Sequence, residues 1–284
     1  MTDGLFYRPR VAEAANGRVY LIDMSGRIQV FDGRGAFEAA WRLPYINRGF
    51  PTGMAVRADG TLAVADTHNY VVRLYAPDGA EQGVIGREGG GQGEFTYLTD
   101  VAFAGDGAMY VSEHGRRDRV QKFGPEGRFL LQWGRSGDGP GEFRRPQALS
   151  VARDESVYVA DAANHRIQRF TRDGRFIEAF GGPGRSAGRL LYPYDLAFTP
   201  DGCLLVCEYG NNRVQVFDGE HRSVAVLGEA GRGLGQLATP WAVTFVPGRG
   251  VLVADTDNHR LQVFEWPPVP RVARSPAGEG VRAR

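Results

Sequence analysis

The stretch VYVADAANHRIQRF, residues 157–170, decides the fold, because close variants of it recur along almost the whole chain. It consists of an apolar run that ends in an acid, a short polar loop and a second apolar run that begins with arginine. The other five copies read VYLIDMSGRIQVF at 19–31, LAVADTHNYVVRLY at 62–75, MYVSEHGRRDRVQKF at 109–123, LLVCEYGNNRVQVF at 204–217 and VLVADTDNHRLQVF at 251–264. Six copies of one unit at a regular spacing are typical of a repeat protein.

The acid that ends the first apolar run of each copy measures the period of the repeat. The six acids are Asp23, Asp66, Glu113, Asp161, Glu208 and Asp255. Successive acids lie 43, 47, 48, 47 and 47 residues apart, so the six units account for nearly all of the 284 residues. The chain is therefore predicted to form one large domain.

Turns that contain glycine divide each unit into four short strands. Asp-Gly pairs at 59–60, 106–107 and 201–202 precede the strand that carries the acid, and pairs at 78–79 and 173–174 follow the next strand. Asp-Gly is favoured in tight hairpins because glycine adopts the positive φ that such turns need. Many of the 40 glycines in the chain are explained in this way. Each unit is predicted to be a four-stranded antiparallel meander.

Four-stranded units of this length, repeated six times, predict an all-β fold: a six-bladed β-propeller of four-stranded antiparallel blades around a channel. A linear solenoid is the alternative, but neither terminal unit has the polar character of a solenoid cap. The propeller is predicted to span residues 1–266, followed by a C-terminal tail over 267–284. Residues 269–276 are expected to supply the outer strand of blade 6 unless that blade lacks one, and 277–284 are expected to be disordered.

The loop sequence NHR, at 164–166 and again at 258–260, resembles the NHL repeat, which is named for Asn-His-Leu. The resemblance spans about residues 5–266 and implies a six-bladed, NHL or TolB-like propeller. Functions in that family vary, and they include RNA binding in translational regulators, protein binding, extracellular sensing and zinc-dependent lyase chemistry in peptide-amidating enzymes. The resemblance therefore implies a fold and leaves the function open.

The composition excludes several classes of protein. The 34 basic and 33 acidic residues leave a net charge of +1, so the whole surface is not that of a general nucleic-acid binder. No run of about 18 apolar residues is present, which excludes a transmembrane helix. The first residues, MTDGLFYRPRV, lack the apolar centre of a signal peptide. We therefore expect a cytoplasmic, monomeric protein that does not act at a membrane.

The resemblance to the amidating lyases can be tested position by position. Those lyases hold zinc with three histidines, which follow the proline that opens the innermost strand in alternate blades. The matching positions here hold Arg10, Thr52, Thr99, Gln147, Tyr194 and Trp241. A catalytic zinc needs three protein ligands and an open position, and this set offers no histidine. The sequence therefore predicts no metal, no cofactor and no catalytic residue, and it favours a binding protein over a metal-assisted lyase or hydrolase.

Other recurring residues have a structural interpretation. His68, His165 and His259 come from alternate blades, and we interpret them as loop histidines bonded to the backbone, with metal ligation as the less favoured alternative. The repeated acids are expected to accept N–H groups of the turn that follows them. The arginines that begin the third strand in every blade except blade 2 are expected to bridge to a neighbouring blade.

The residues that break the repeat point to a binding site at the channel mouth. The six positions after the inner-strand proline hold a different residue in nearly every blade, and several are aromatic or hydrogen-bonding. With His68, His114 and Tyr209, which lie near the same face, they form the predicted ligand site. A protein or peptide is the expected partner, and a small ligand is also compatible. The alternative is that these side chains only plug the channel.

A second break in the repeat is basic. Blade 3 and the connector into blade 4 together contain Arg116, Arg117, Arg135, Arg144 and Arg145. Such a patch could bind phosphates, which makes RNA binding the alternative function. Acidic residues are interleaved with these arginines at 118, 138 and 142, so a solvated loop surface is the favoured interpretation.

Overall fold

The computed structural model describes residues 7–44 and 46–266, and its strands form six blades around a central channel. The predicted all-β, six-bladed propeller is thus confirmed. Its only helices in the described residues are four short 3₁₀ turns. They are Ile46–Arg48, Thr67–Asn69, Ala162–Asn164 and Thr256–Asn258. None of these helices has the length and apolar character needed to cross a membrane.

The first five blades have four antiparallel strands each, in chain order within each sheet. Blade 1 contains β1 (Pro9–Ala15), β2 (Arg18–Asp23), β3 (Arg27–Asp32) and β4 (Phe37–Arg42). Blade 2 contains β5 (Gly53–Val56), β6 (Leu62–Asp66), β7 (Val71–Tyr75) and β8 (Glu81–Ile85). Blade 3 contains β9 (Tyr97–Phe103), β10 (Met109–His114), β11 (Arg119–Phe123) and β12 (Phe129–Trp133).

The remaining blades follow the same plan, with one difference in blade 6. Blade 4 contains β13 (Pro146–Val151), β14 (Val157–Asp161), β15 (Arg166–Phe170) and β16 (Phe176–Gly181). Blade 5 contains β17 (Pro193–Phe198), β18 (Leu204–Glu208), β19 (Arg213–Phe217) and β20 (Ser223–Leu227), and the connector after it contains the short parallel pair β21 (Glu229–Ala230) and β22 (Gln236–Leu237). Blade 6 contains β23 (Ala242–Val246), β24 (Gly250–Asp255) and β25 (Arg260–Phe264). Its expected fourth strand, 269–276, and the expected disordered end, 277–284, lie outside the described residues.

The core of the protein lies between blades and not at the centre of the ring. Each of six apolar clusters joins two adjacent blades. The cluster that closes the ring packs Leu21 and Phe31 of blade 1 against Val246 and Leu252 of blade 6. Since the apolar faces of the blades are buried against one another, the innermost strands can present polar side chains to the channel.

Outer strands also pack on the next blade through a repeated contact. Trp41, in the outer strand of blade 1, lies over the turn at Gly79 of blade 2, and Trp133 of blade 3 lies over Gly174 of blade 4. Both glycines have positive φ, and a Cβ atom on either would come within 2.8 Å of the indole ring. These two turns therefore need glycine for the backbone conformation and for the close approach of tryptophan.

A buried acid at the end of the second strand organises each of blades 3 to 6. In blade 4, Asp161 accepts hydrogen bonds from the backbone N–H of Arg144 (2.7 Å), from Asn164 Nδ2 (2.9 Å) and from Arg166 Nε (2.8 Å). Gln168 Nε2 also donates to it, at 3.1 Å. We call this group of residues around the acid the acid latch.

From the sequence we expected the acid to accept N–H groups of the turn that follows it. In blade 4 the backbone N–H comes instead from the connector before the blade, whereas in blade 1 Asp23 does accept the N–H of Ser25 in the following turn.

The arginine of the acid latch also holds the connector. In blade 3, Arg119 donates through Nε to Glu113 (2.6 Å) and through its terminal nitrogens to the carbonyls of Gly90, Gly91 and Glu94. The side chains of both Arg119 and Glu113 are at least 97% buried. All the polar groups of this ion pair are thus bonded within the blade and the connector that leads into it.

We predict that Arg119→Met lowers the free energy of unfolding by about 3–5 kcal/mol, because it leaves the Glu113 carboxylate buried without its cation. Urea denaturation and thermal unfolding measure the change. Arg87→Met is the matched control, since Arg87 also pairs with a glutamate but has a side chain that is 78% exposed. The control should change the stability by less than about 1 kcal/mol. Equal effects of the two substitutions would contradict a central role of the latch.

Candidate functional site

The central channel forms a cavity of about 250 Å³ that is lined by the innermost strands of all six blades. Five of the six residues predicted at the mouth line this cavity, and they are Arg10, Thr52, Gln147, Tyr194 and Trp241. Each directly follows a proline that lies at or just before the start of an innermost strand. The repeat therefore brings to one place residues that lie tens to hundreds of positions apart in the chain.

Blades 5 and 6 contribute three aromatic side chains to the mouth. The rings of Tyr194 and Tyr209 are stacked, with centroids 4.5 Å apart and an interplanar angle of 21°. Trp241 meets Tyr194 edge-on at 5.0 Å and Tyr209 at 5.9 Å. We call these three residues the aromatic cluster. All three were predicted at the mouth, and the structure places them in direct contact.

An arginine lies at each end of the aromatic cluster, and we call the two the mouth arginines. The guanidinium carbon of Arg10, from blade 1, is 3.9 Å from the centroid of Trp241. That of Arg145, which precedes blade 4, is 5.5 Å from the centroid of Tyr194. Burial and the neighbouring charge of Arg8 lower the pKa of Arg10 to about 10, and Arg145 acts in the same direction. Arg10 therefore remains cationic at neutral pH.

Two histidines extend the mouth over blades 2 and 3. The imidazole of His114 stacks on Tyr97 with centroids 5.6 Å apart, and His68 meets the same tyrosine edge-on at 5.8 Å. Burial lowers the pKa of His114, and the positive charge of Arg145 lowers it further. His114 is therefore neutral at pH 7, and it lies close enough to Arg145 for the two groups to interact electrostatically.

The two threonines predicted at the mouth are used in holding the blades together. Thr52 Oγ1 donates to the carbonyl of Thr99 at 2.8 Å, which ties blade 2 to blade 3. Thr99 Oγ1 donates to the carbonyl of Pro146 at 2.5 Å and also bonds to Ser112, which ties blade 3 to blade 4. Neither hydroxyl is available to a ligand in this arrangement.

The other two histidines of alternate blades lie at blade junctions. His165 Nδ1 accepts a hydrogen bond from the backbone N–H of Tyr192, which opens the next blade. His259 stacks on Tyr7 with centroids 5.0 Å apart. The contact of His165 fits its interpretation as a loop histidine bonded to the backbone, whereas the contact of His259 is with an aromatic ring.

The five arginines of the predicted phosphate patch do not act as one group. Arg135 pairs with Glu142 at 2.6 Å, and Arg144 lies 3.5 Å from Asp138. Arg116 and Arg117 are exposed on the loop of blade 3. The fifth member, Arg145, turns to the channel mouth and joins the site described above.

Three carboxyl groups inside the channel were missed by the sequence analysis. Glu13, Asp100 and Asp195 come from blades 1, 3 and 5 and line the cavity. Asp100 accepts a hydrogen bond from the backbone N–H of Leu149 in blade 4, and Asp195 accepts one from that of Val243 in blade 6, both at 2.8 Å. Asp100 and Asp195 directly follow mouth positions 99 and 194, so inspection of the next residue in each inner strand could have found them.

The three channel acids share one environment, in which burial and the charge of Asp195 raise the pKa of both Glu13 and Asp100. Burial raises the pKa of Glu13 to about 8, and the charge of Asp195 contributes to the rise. Burial also raises the pKa of Asp195 to about 7 and that of Asp100 well above its usual range. The channel interior is therefore less negative at neutral pH than three free carboxylates would make it.

The described part of the chain contains no group of three or more His, Cys, Asp or Glu side chains placed to share a metal ion. In particular, the histidines of the mouth and the acids of the channel do not converge on a common point. The residues within 7–44 and 46–266 thus provide no built metal centre.

Comparison with known proteins supports the identification of the repeat. The family model of the NHL repeat matches residues 143–170, 190–217 and 237–264. Each matched segment begins a few residues before the innermost strand of blade 4, 5 or 6 and ends with the third strand of that blade. Blades 4, 5 and 6 thus match the NHL repeat. The matched segments contain the acid latches at Asp161, Glu208 and Asp255, so the family pattern coincides with the structural unit described above.

Solved structures share the fold at low sequence identity. A streptogramin B lyase structure superimposes with a TM-score of 0.64 at 14% identity, covering 92% of this chain and 84% of that chain. The virginiamycin B lyase of Staphylococcus aureus gives 0.60 at 15% identity, covering 87% and 77%. A protein of unknown function from Bacteroides thetaiotaomicron gives 0.67 at 15% identity, covering 90% and 69%. At such identities the likeness concerns the fold alone.

The raised pKa of Glu13 predicts a specific pH dependence of stability. Between about pH 4.5 and 8 the folded state holds a proton on Glu13 that the unfolded state has lost, so stability falls as the pH rises through this window. Glu13→Gln replaces the titratable carboxyl group by a neutral amide. The variant should therefore be more stable than the parent at pH 9, by several degrees in Tm, with a smaller difference at pH 5. Thermal unfolding from pH 5 to 9 measures the effect, and parallel curves for both proteins would contradict it.

The mouth arginines differ from the frame arginines in what their removal should do. Arg10 has no hydrogen-bond acceptor among the residues described, so Arg10→Met removes a half-buried charge without leaving a carboxylate unpaired. We predict that Tm stays within about 2 °C of the parent or rises. Differential scanning calorimetry measures it. A loss of stability comparable to that of Arg119→Met would assign Arg10 to the frame.

Proposed function

We propose that the protein is a non-catalytic binding module that takes a peptide or a small ligand at the mouth of its central channel. The blades serve as a rigid frame, and the residues that differ from blade to blade select the ligand. Loops and strand ends held by a stiff scaffold are a common arrangement for recognition sites.

The observation that supports this proposal is a division between repeated and unrepeated residues. The repeated acid, arginine and glutamine of each latch form hydrogen bonds with one another and with the connector. Glu113, Arg119 and Gln121 do so in blade 3. The aromatic cluster and Arg10 have no counterpart at the matching positions of the other blades. Their contacts are made with one another, and Arg10, Tyr194 and Trp241 line the cavity.

The dimensions of the mouth limit what can enter it. A cavity of about 250 Å³ has room for one or two amino-acid residues or a small molecule. Six innermost strands surround it, so a chain end or a single projecting side chain fits better than a continuous strand. The aromatic cluster supplies rigid apolar surface of the kind that dominates binding energy at recognition sites.

The alternative function, RNA binding, receives less support from the geometry. Two of the arginines outside the mouth, Arg135 and Arg144, face the carboxylates of Glu142 and Asp138. Neutralised arginines contribute little to the attraction of phosphate backbones. The binding experiment below includes an RNA arm for this reason.

A random heptapeptide library displayed on phage tests the proposal by panning against the immobilised protein. We predict that selected peptides bind the parent and lose at least about tenfold in affinity on Trp241→Ala, which removes an anchor of the aromatic cluster. Leu130→Ala is the matched control, because Leu130 is an exposed apolar residue on the outer strand of blade 3, far from the mouth. Its binding should equal that of the parent.

Two outcomes would contradict the proposed function. Selected peptides that bind the Trp241→Ala and parent proteins equally would place recognition elsewhere on the surface. Binding of a labelled single-stranded RNA that falls steeply with salt and is lost in Arg116→Glu, with no peptide selected, would favour the RNA alternative.

A further inference from the structure

We propose that the ligand taken at the channel mouth presents an oxyanion, a carboxylate or a phosphate group, to the guanidinium groups of Arg10 and Arg145. This inference rests on the proposed function and specifies the chemistry of the ligand. It is carried by hydrogen-bond donors that converge on the mouth without acceptors.

Arg10 is the first of these donors. Its guanidinium has five N–H groups, and in the described part of the chain none of them meets an acceptor. Its contacts are the face of Trp241 and the electrostatic influence of Arg8, Arg145 and two tyrosines. An arginine of the frame is different, since Arg166 donates to Asp161 and to three connector carbonyls. A partly buried cation with no anion nearby is costly unless a ligand supplies one.

Arg145 and Gln147 add donors on the opposite side of the channel. Arg145 Nε donates to Gln147 Oε1 at 3.1 Å, and its two terminal nitrogens have no acceptor within residues 7–44 and 46–266. The side chain of Gln147 belongs to a residue that is only 2% exposed, yet its Nε2 group also lacks an acceptor among the described residues. Blades 1 and 4 face each other across a six-bladed ring. Both thus present hydrogen-bond donors that have no acceptor among the described residues.

The aromatic cluster holds the mouth arginines in position. Each guanidinium lies over a ring, Arg10 over Trp241 and Arg145 over Tyr194. Stacking engages the faces of the guanidinium and leaves its N–H edges free to bind. A planar fork of N–H groups fixed in this way matches the two oxygens of a carboxylate or a phosphate. The site is therefore organised before the anion arrives, which reduces the entropy cost of binding.

The channel below the mouth determines where the anion stops. Glu13, Asp100 and Asp195 line the interior, and Asp100 is close enough to the other two to be affected by their charge. An anionic group that moved past the rim would approach these carboxyl groups and gain no cation. The oxyanion is consequently expected at the rim, with the uncharged part of the ligand either against the aromatic cluster or outside the mouth.

Three small probes test the inference by isothermal titration calorimetry at low salt. They are N-acetyl-glycyl-tyrosine with a free carboxylate, the same compound as its C-terminal amide, and phenyl phosphate. We expect at least one of the two anions to bind the parent at least about tenfold more tightly than the neutral amide. A preference for the carboxylate indicates a peptide chain end, and a preference for phenyl phosphate indicates a phosphorylated ligand.

Variants assign the binding to the mouth arginines. Arg10→Met and Arg145→Met should each weaken binding of the preferred anion about tenfold or more, whereas Arg87→Met, which removes an equal charge from the exposed surface, should leave it unchanged. If the amide binds as tightly as the anions, or if neither anion binds at millimolar concentration, the oxyanion inference is wrong. Loss of peptide binding in Trp241→Ala would still uphold the proposed function in that case, so the two failures are distinguishable.

Discussion

The buried acid at the end of each second strand is the interaction on which the rest of the frame depends. In blade 6, Asp255 receives hydrogen bonds from the backbone of Ala238 in the connector and from Asn258, Arg260 and Gln262 within the blade. The carboxylate is fully buried, so it can persist as an anion only with this complete set of donors. Because the connector is bound to the same network, one residue sets the position at which the chain enters each of blades 3 to 6.

This arrangement separates stability from recognition. The arginines of the frame have their N–H groups saturated by a carboxylate and by carbonyls, as Arg213 does with Glu208 and the connector before blade 5. The mouth arginines lie outside the latches, and their guanidinium groups rest on aromatic rings instead of acids. A charge that contributes little to the frame is free to vary, and a donor left open at a cavity is available to a ligand.

Much of the fold could be predicted because the period of the acids directly encodes the blades. Tyr194 and Trp241 could be assigned to the mouth, since each follows the proline that opens an innermost strand. Arg145 could not, because Arg8 has the same position before the proline and the same left-handed backbone, yet it pairs with Asp257 and not with an aromatic ring. Nor could the shared environment of Asp100 and Asp195 be inferred, since it arises from the spacing of blades around a closed ring.

A crystal structure of the protein with phenyl phosphate or N-acetyl-glycyl-tyrosine bound, whichever binds more tightly, is the most direct test of oxyanion binding by the mouth arginines. We predict an oxyanion at the channel rim, with oxygens within about 3.2 Å of nitrogen atoms from both Arg10 and Arg145. The acid latches should be unchanged between the free and bound proteins. A structure in which Arg10 bonds to a carboxylate of the protein itself, or in which the anion lies on the outer surface, would contradict this prediction.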